Sequence, residues 1–181
     1  MHIDRHQARY GNSVTSRKRL LAASTATAAC LGLPAPEAGA QPPGFPDLRK
    51  FKAVDAAQFG RPFSYPERWA NVYLFFRTPD GLNCAIGPAS WCTGNMPGLP
   101  ADLNGACSSV HGERTGDPMF AFSADDGACE PTRDKMLNPG EKLIDSLTGT
   151  TCVVDKGNLT ACIIPKTNHG FVLQTSGSWT F

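Results

Sequence analysis

The sequence lacks the cysteine and histidine spacings that build metal and redox sites. No C-x-x-C pair occurs among its seven cysteines, and the one close Cys/His pair, Cys107 with His111, has no matching partners. Structural zinc sites usually bring pairs of ligands about two to four residues apart, and redox-active dithiols use C-x-x-C. We therefore expect no metal site, no redox-active pair and no cofactor.

Catalytic sequence motifs are missing as well. The chain contains no G-x-S-x-G, no phosphate-cradling glycine motif and no D-x-[DN]-x-[DN]-G calcium loop around Asp125-Asp126 and Glu130,. We interpret these acidic residues as part of a turn and not as calcium ligands. The sequence therefore predicts no catalytic residue.

Only two histidines, His111 and His169, occur beyond residue 40. His111 lies in a glycine-rich stretch, which favours a solvated side chain in a loop. His169 precedes Gly170 and a predicted strand, which favours a capping or turn role. A hydrolase that uses His169 as its base is the alternative.

An excess of charge of one sign is also absent. The chain has 17 Lys and Arg against 16 Asp and Glu, and no polybasic tract. Nucleic acids and anionic membrane surfaces attract proteins with clustered positive charge. We therefore expect no nucleic-acid partner.

The first forty residues carry an export signal. Arg17-Lys18-Arg19 is followed by an apolar run from Leu20 to Leu33, and Ala38-Gly39-Ala40 ends the segment. This order is typical of a secretory signal peptide over 1–40 with cleavage after Ala40. The run is too short and too rich in Ala and Thr for a membrane span, so no transmembrane segment is expected in the mature chain. Lipidation of Cys30 is the alternative to cleavage after Ala40.

The cysteines beyond the signal indicate a disulfide framework, because an even number of cysteines in an exported chain is typical of one. Cys84 and Cys92 flank the Gly87-Pro88 turn, and Cys152 and Cys162 face each other across a hairpin centred on Gly157. Cys107 and Cys129 then pair by elimination. The six residues are Cys84, Cys92, Cys107, Cys129, Cys152 and Cys162.

Short apolar runs separated by turn signals predict a mainly β chain. The runs are 72–76, 82–86, 90–93, 119–123, 151–154, 159–164 and one closing strand over 170–181. Residues 94–116, rich in Gly and Pro, are predicted as a long loop, and the proline-rich 41–68 as an extended arm with a turn of helix near 47–51. The expected fold is a small antiparallel β-sandwich or barrel over 69–181 with disulfide-stapled hairpins.

Several motifs of the sequence resemble motifs in a family of exported mycobacterial and related actinobacterial proteins. They are Phe45-Pro46-Asp47-Leu48, the stretch 75–84 (FFRTPDGLNC), Leu137-x-Pro139-Gly140 and His169-Gly170-Phe171-Val172-Leu173. The resemblance implies export and a stapled β domain. It implies no activity and transfers no catalytic residue.

Export and a stapled β domain together favour a secreted or envelope-associated binding module. Its partner would be an extracellular or envelope protein or glycan, which would contact the 94–116 loop or an aromatic face. The aromatic candidates, which a small domain also needs for its core, are Tyr65, Trp69, Tyr73, Trp91 and Trp179. The alternatives are a small secreted hydrolase that uses His169 and an inhibitor that presents a disulfide-braced loop to a protease.

Overall fold

The computed structural model describes residues 41–62, 72–103, 107–112, 119–125 and 127–181. The predicted signal peptide, its cleavage site, Cys30, Tyr65 and Trp69 lie outside these ranges. The strands in chain order are β1 Lys52–Ala53, β2 Gly60–Pro62, β3 Val72–Arg77, β4 Asn83–Ile86, β5 Trp91–Gly94, β6 Cys107–Gly112, β7 Phe120–Asp125, β8 Glu141–Ile144, β9 Thr151–Asp155, β10 Leu159–Ile164, β11 His169–Leu173 and β12 Trp179–Thr180.

These strands form two six-stranded sheets. The first, sheet A, has the order β1-β8-β9-β10-β11-β12, and the second, sheet B, has the order β2-β3-β4-β5-β6-β7. Every pair of neighbouring strands is antiparallel except β1 with β8. The predicted mainly β, antiparallel class is confirmed.

The main core lies between the inner faces of the two sheets. Side chains alternate between the faces of a strand, so every second residue of β3, β4, β9 and β10 enters this core. Phe120 of β7 meets Phe171 of β11 edge to face, with ring centroids 5.4 Å apart. The two sheets therefore pack face to face as a sandwich.

The N-terminal segment belongs to both sheets. It contains two 3₁₀ turns, Leu48–Lys50 and Ala56–Gln58, and its strands β1 and β2 each form a sheet edge. Phe45 and Phe51 are buried in a second core on the outer face of sheet A. The predicted turn of helix near 47–51 is confirmed, while two strands were not foreseen in this segment.

Asp47 caps the first 3₁₀ turn. Its carboxylate accepts hydrogen bonds from the Arg49 backbone N–H at 3.0 Å and from the Arg49 guanidinium at 2.9 Å. The side-chain hydrogen bond from Arg49 lowers the pKa of Asp47 to about 2. The carboxylate therefore stays ionised, and the cap stays formed, well below neutral pH.

Two predictions about the strands were wrong. The stretch 94–116 is not one loop, because residues 107–112 form β6 between β5 and β7. The closing segment is a hairpin and not one strand, because Gly177, at a φ of 129°, lies in the turn between β11 and β12. Strand β8 was also missed.

Three disulfides join Cys84 to Cys92, Cys107 to Cys129 and Cys152 to Cys162. The first and third link directly opposite residues of neighbouring strands, with Cα atoms 4.1 Å apart. The second ties the start of β6 to the segment after β7. That segment then crosses to β3, where the Leu137 N–H donates to the Arg77 carbonyl at 3.0 Å. The three observed pairs are those predicted, two of them from the turns and Cys107 with Cys129 by elimination.

A clasp at one end of the sandwich joins the loop after β5 to the β11–β12 turn. The Ser178 N–H donates to the Gly98 carbonyl at 3.0 Å, and the Ser178 hydroxyl donates to the Pro97 carbonyl at 2.5 Å. A Cβ on Gly98 would meet the Gln174 carbonyl oxygen and would lie 2.8 Å from the Gly177 nitrogen. Only glycine fits this contact.

We expect Gly98→Ala to lower the free energy of unfolding by about 2–5 kcal/mol. The left-handed φ of 65° costs about 1–2 kcal/mol for a residue with a Cβ, and displacing the facing backbone costs about 1–3 kcal/mol more,. Denaturant unfolding under non-reducing conditions measures the loss. Gly140→Ala is the matched control, because Gly140 also has a positive φ, 84°, but its Cβ would have open space. Equal losses of unfolding free energy in the two variants would contradict the close backbone contact at Gly98.

Candidate binding cleft

The two candidate histidines lie in different parts of the sandwich. His111 is not in a loop: it lies on β6, half-buried, opposite Trp91 and Ala121. Since its neighbour Val110 faces the main core, the His111 side chain is on the outer face of sheet B. His169 begins β11 on the inner face of sheet A, in line with the core residue Phe171. The structure does not bring the two imidazoles together.

The aromatic candidates are also divided. Tyr73, Phe75 and Trp91 follow one another on the outer face of sheet B, with ring centroids 6.1 and 6.3 Å apart. Trp179 and Phe181 form a second group on the outer face of sheet A, with centroids 5.0 Å apart. The described aromatic candidates therefore lie on the outer faces of different sheets, Tyr73 and Trp91 on sheet B and Trp179 on sheet A.

Asp47, Asp55 and Asp145 accept hydrogen bonds from backbone N–H groups of the turns that follow them. Nowhere in the described ranges do three or more His, Cys, Asp or Glu side chains gather closely enough to hold a metal ion. Asp145, which is buried, accepts hydrogen bonds from the N–H groups of Leu147 and Thr148 at 3.1 and 3.2 Å. These hydrogen bonds hold the turn between β8 and β9. The Leu147 side chain in this turn is 78% exposed.

A groove beside β1 is one concave site of the described residues. It has a volume of about 330 Å³ and is lined in part by Lys52, Asp55, Phe59, Lys135 and Glu141. Several of its polar groups already have partners within the protein. Lys135 donates to the Gln58 side chain and lies over the Phe59 ring, and Glu141 accepts from the Asn138 N–H at 2.8 Å. The groove therefore offers a ligand few unused polar groups.

Another concave site of the described residues is a cleft at the end of the sandwich opposite the clasp, called the end cleft below. Its volume is about 410 Å³. The lining comes from four separate parts of the chain: Tyr73, Pro88 to Ser90, Gly112 with Met119 and Phe120, and Ile164. The walls of the end cleft are therefore mostly apolar, as is common for small-molecule sites.

Strand register forms the end cleft. Gly112 is opposite Phe120 across β6 and β7, and its N–H donates to the Ser90 carbonyl at 3.3 Å. Ser90 is two residues before the core residue Cys92, so its side chain points toward the inner face,. Because Gly112 has no side chain, the space in front of Ser90 and Phe120 stays open.

Ser90 is one of two lining residues of the end cleft that carry a side-chain hydroxyl, and Tyr73 is the other. The residue is 2% exposed, and its hydroxyl has no hydrogen-bond partner within the part of the chain that the structure describes. A buried hydroxyl without a partner costs roughly 1–3 kcal/mol. Such a group in a cleft is a candidate contact for a ligand.

His169 lies close to this end of the sandwich. It pairs with Ile164 across β10 and β11, and cross-strand partners share a face of the sheet,. Its Nδ1 atom is buried and, in the described ranges, also lacks a hydrogen-bond partner. Two unsatisfied polar atoms, one from each sheet, thus face inward at the same end of the sandwich.

Ser90 and His169 do not form a hydrogen-bonded nucleophile and base among the described residues. A serine nucleophile needs a hydrogen-bonded base, and that base needs an orienting partner. Neither Ser90 nor the His169 Nδ1 atom has such a bond within the described residues. Sequence reasoning missed Ser90, although its position two residues before Cys92, on the same face of the strand, indicates a buried serine.

Three intramolecular disulfides indicate an oxidising environment of the extracellular type,. Among the residues described, no helix is long and apolar enough to cross a membrane. Comparisons of the chain with protein-family models, with curated proteins and with solved structures found no match.

Proposed function

We propose that this protein is an exported β-sandwich module that acts by binding a ligand in the end cleft. The observation that carries the proposal is the Ser90 hydroxyl, which is buried and has no partner among the described residues, and Ser90 lines a cleft of about 410 Å³. Proteins rarely leave such a group unsatisfied, because the lost hydrogen bond to water is not replaced. A bound ligand would replace it.

The export part of the proposal rests on the sequence and the disulfides together. The basic cluster, apolar run and Ala38-Gly39-Ala40 favour secretion with cleavage after Ala40, to the cell envelope or beyond,. The resemblance to exported actinobacterial proteins supports the same location. An oxidising compartment is also where three disulfides persist.

Capture of a ligand from envelope extract tests the binding function. The oxidised full-length protein is incubated with the extract and recovered, and its bound molecules are extracted and identified by mass spectrometry. We expect wild type to retain a molecule that Gly112→Leu loses. A Cβ on Gly112 fits, 3.7 Å from the Phe120 ring, and the rest of the leucine would fill the cleft.

The matched control is Gly112→Ala, which adds only the tolerated methyl group and should retain the ligand. Equal retention by wild type and Gly112→Leu would contradict binding in the end cleft. His169→Ala separates binding from hydrolysis: a binding module keeps the captured molecule intact in both proteins. If wild type instead converts the molecule and His169→Ala does not, the hydrolase alternative is correct.

A further inference from the structure

We infer that the end cleft selects a small, neutral, mainly apolar ligand with one hydrogen-bonding group, which pairs with the Ser90 hydroxyl. This inference rests on the proposed binding function and narrows its ligand class. It sets aside a glycan as occupant, because a glycan carries many hydroxyl groups and the end cleft offers few polar side chains to meet them.

The volume of the end cleft supports a small organic ligand. About 410 Å³ equals the liquid volume of about 14 water molecules at roughly 30 Å³ each,. One bridging water, the usual partner of an isolated buried hydroxyl, therefore cannot fill it. Small-molecule sites range over about 300–1,000 Å³, so the end cleft is at the small end of that range.

The lining determines the polarity of the ligand. Met119, Phe120 and Ile164 present side chains without strong hydrogen-bonding groups, and no Asp, Glu, Lys or Arg is among the described residues that line the cleft. A charged ligand would lose its hydration without gaining an opposite charge from these described residues, which is strongly unfavourable. A neutral apolar ligand gains favourable free energy when its apolar surface is buried in the cleft.

Ser90 determines where the polar group of the ligand lies. A serine hydroxyl can donate one hydrogen bond and accept others, so a ligand hydroxyl or carbonyl can pair with it. Because the Ser90 hydroxyl has no partner among the described residues, the ligand breaks no hydrogen bond to them when it binds. We therefore expect selectivity for one polar group at the Ser90 end of an apolar molecule.

Three matched probes test this inference: 2-naphthol, naphthalene and 2-naphthoate, which differ in the hydroxyl and in the charge. Each is titrated into the oxidised full-length protein while amide NMR shifts are recorded. We expect 2-naphthol to bind and to shift Ser90, Gly112, Phe120 and Ile164. Ser90→Ala should weaken the binding of 2-naphthol by about 3- to 10-fold, which is the effect of one neutral hydrogen bond. It should leave the binding of naphthalene unchanged.

Two further measurements are the binding of the anion 2-naphthoate and the stability of Ser90→Ala. Binding of 2-naphthoate should be at least about tenfold weaker than binding of 2-naphthol, and Gly112→Leu should abolish binding of both neutral probes. Without a probe, Ser90→Ala should be at least as stable as wild type, because it removes an unpaired buried hydroxyl. Tighter binding of 2-naphthoate, an equal effect of Ser90→Ala on both neutral probes, or a destabilised Ser90→Ala would overturn the inference.

The two experiments fail in distinguishable ways. If no neutral probe binds but Gly112→Leu still loses a captured molecule from extract, the ligand class is wrong and the binding function stands. If the neutral probes bind as expected but no extract molecule depends on the cleft, the site is real and the proposed function is wrong.

Discussion

Reduction of the three disulfides is expected to unfold the sandwich, or to leave it barely stable, at room temperature. The bridged cysteines are 8, 22 and 10 residues apart. The chain-entropy relation gives about 2.5, 3.4 and 2.7 kcal/mol for these loops, together about 8–9 kcal/mol. The net stability of a typical domain is roughly 5–15 kcal/mol, so the disulfides account for a large part of it.

Denaturant titration of oxidised protein and of reduced, alkylated protein measures this effect, with near-ultraviolet circular dichroism as the probe of packing. Among single-bridge variants, Cys107→Ala with Cys129→Ala should lose the most, because that bridge closes the longest loop. A reduced protein that still unfolds cooperatively, within about 2 kcal/mol of the oxidised protein, would contradict the entropic estimate.

The stapled hairpins could be predicted because their signals are local. The turn at Gly157 places Cys152 directly opposite Cys162, and the turn at Gly87-Pro88 does the same for Cys84 and Cys92. A turn and the alternation of a strand fix which residues face each other. No long-range information was needed to derive these two pairs.

Strands β6 and β1 could not be predicted because their signals are not local. On the inner face β6 has Ser108, Val110 and Gly112, with one large apolar residue among them, so it lacks the usual alternation. Strand β1 is two residues long and pairs with β8, nearly ninety positions later. Such strands form because a neighbouring strand offers backbone hydrogen bonds, whatever their own propensity.

The end cleft could not be predicted for the same reason, because it too depends on contacts between distant parts of the chain. Ser90, Gly112 and Ile164 are far apart in sequence and come from both sheets, so only the packing of the sandwich brings them together. Alternation from Cys92 was enough to place the Ser90 side chain inside. It was not enough to show that the residue facing Ser90 would be a glycine, which is what leaves room for a ligand.

The packing between the sheets has a large expected effect of its own: Phe171→Ala should lower the free energy of unfolding by about 3–5 kcal/mol. Phe171 has 0% exposure and meets Phe120 of the opposite sheet at an interplanar angle of 67°. Removing its ring leaves a cavity that the two stapled sheets can close only in part. Denaturant unfolding of the oxidised variant measures the loss.

Leu147→Ala is the control for Phe171→Ala, because Leu147 is 78% exposed and its truncation should change stability by less than about 0.5 kcal/mol,. A double-mutant cycle with Phe120→Ala isolates the aromatic contact, whose coupling should be about 0.5–1.5 kcal/mol. Because Phe120 also lines the end cleft, loss of Phe171 should let that ring move and should weaken 2-naphthol binding. A variant that loses less than 1 kcal/mol and binds 2-naphthol as wild type does would show that the sheets do not depend on this contact.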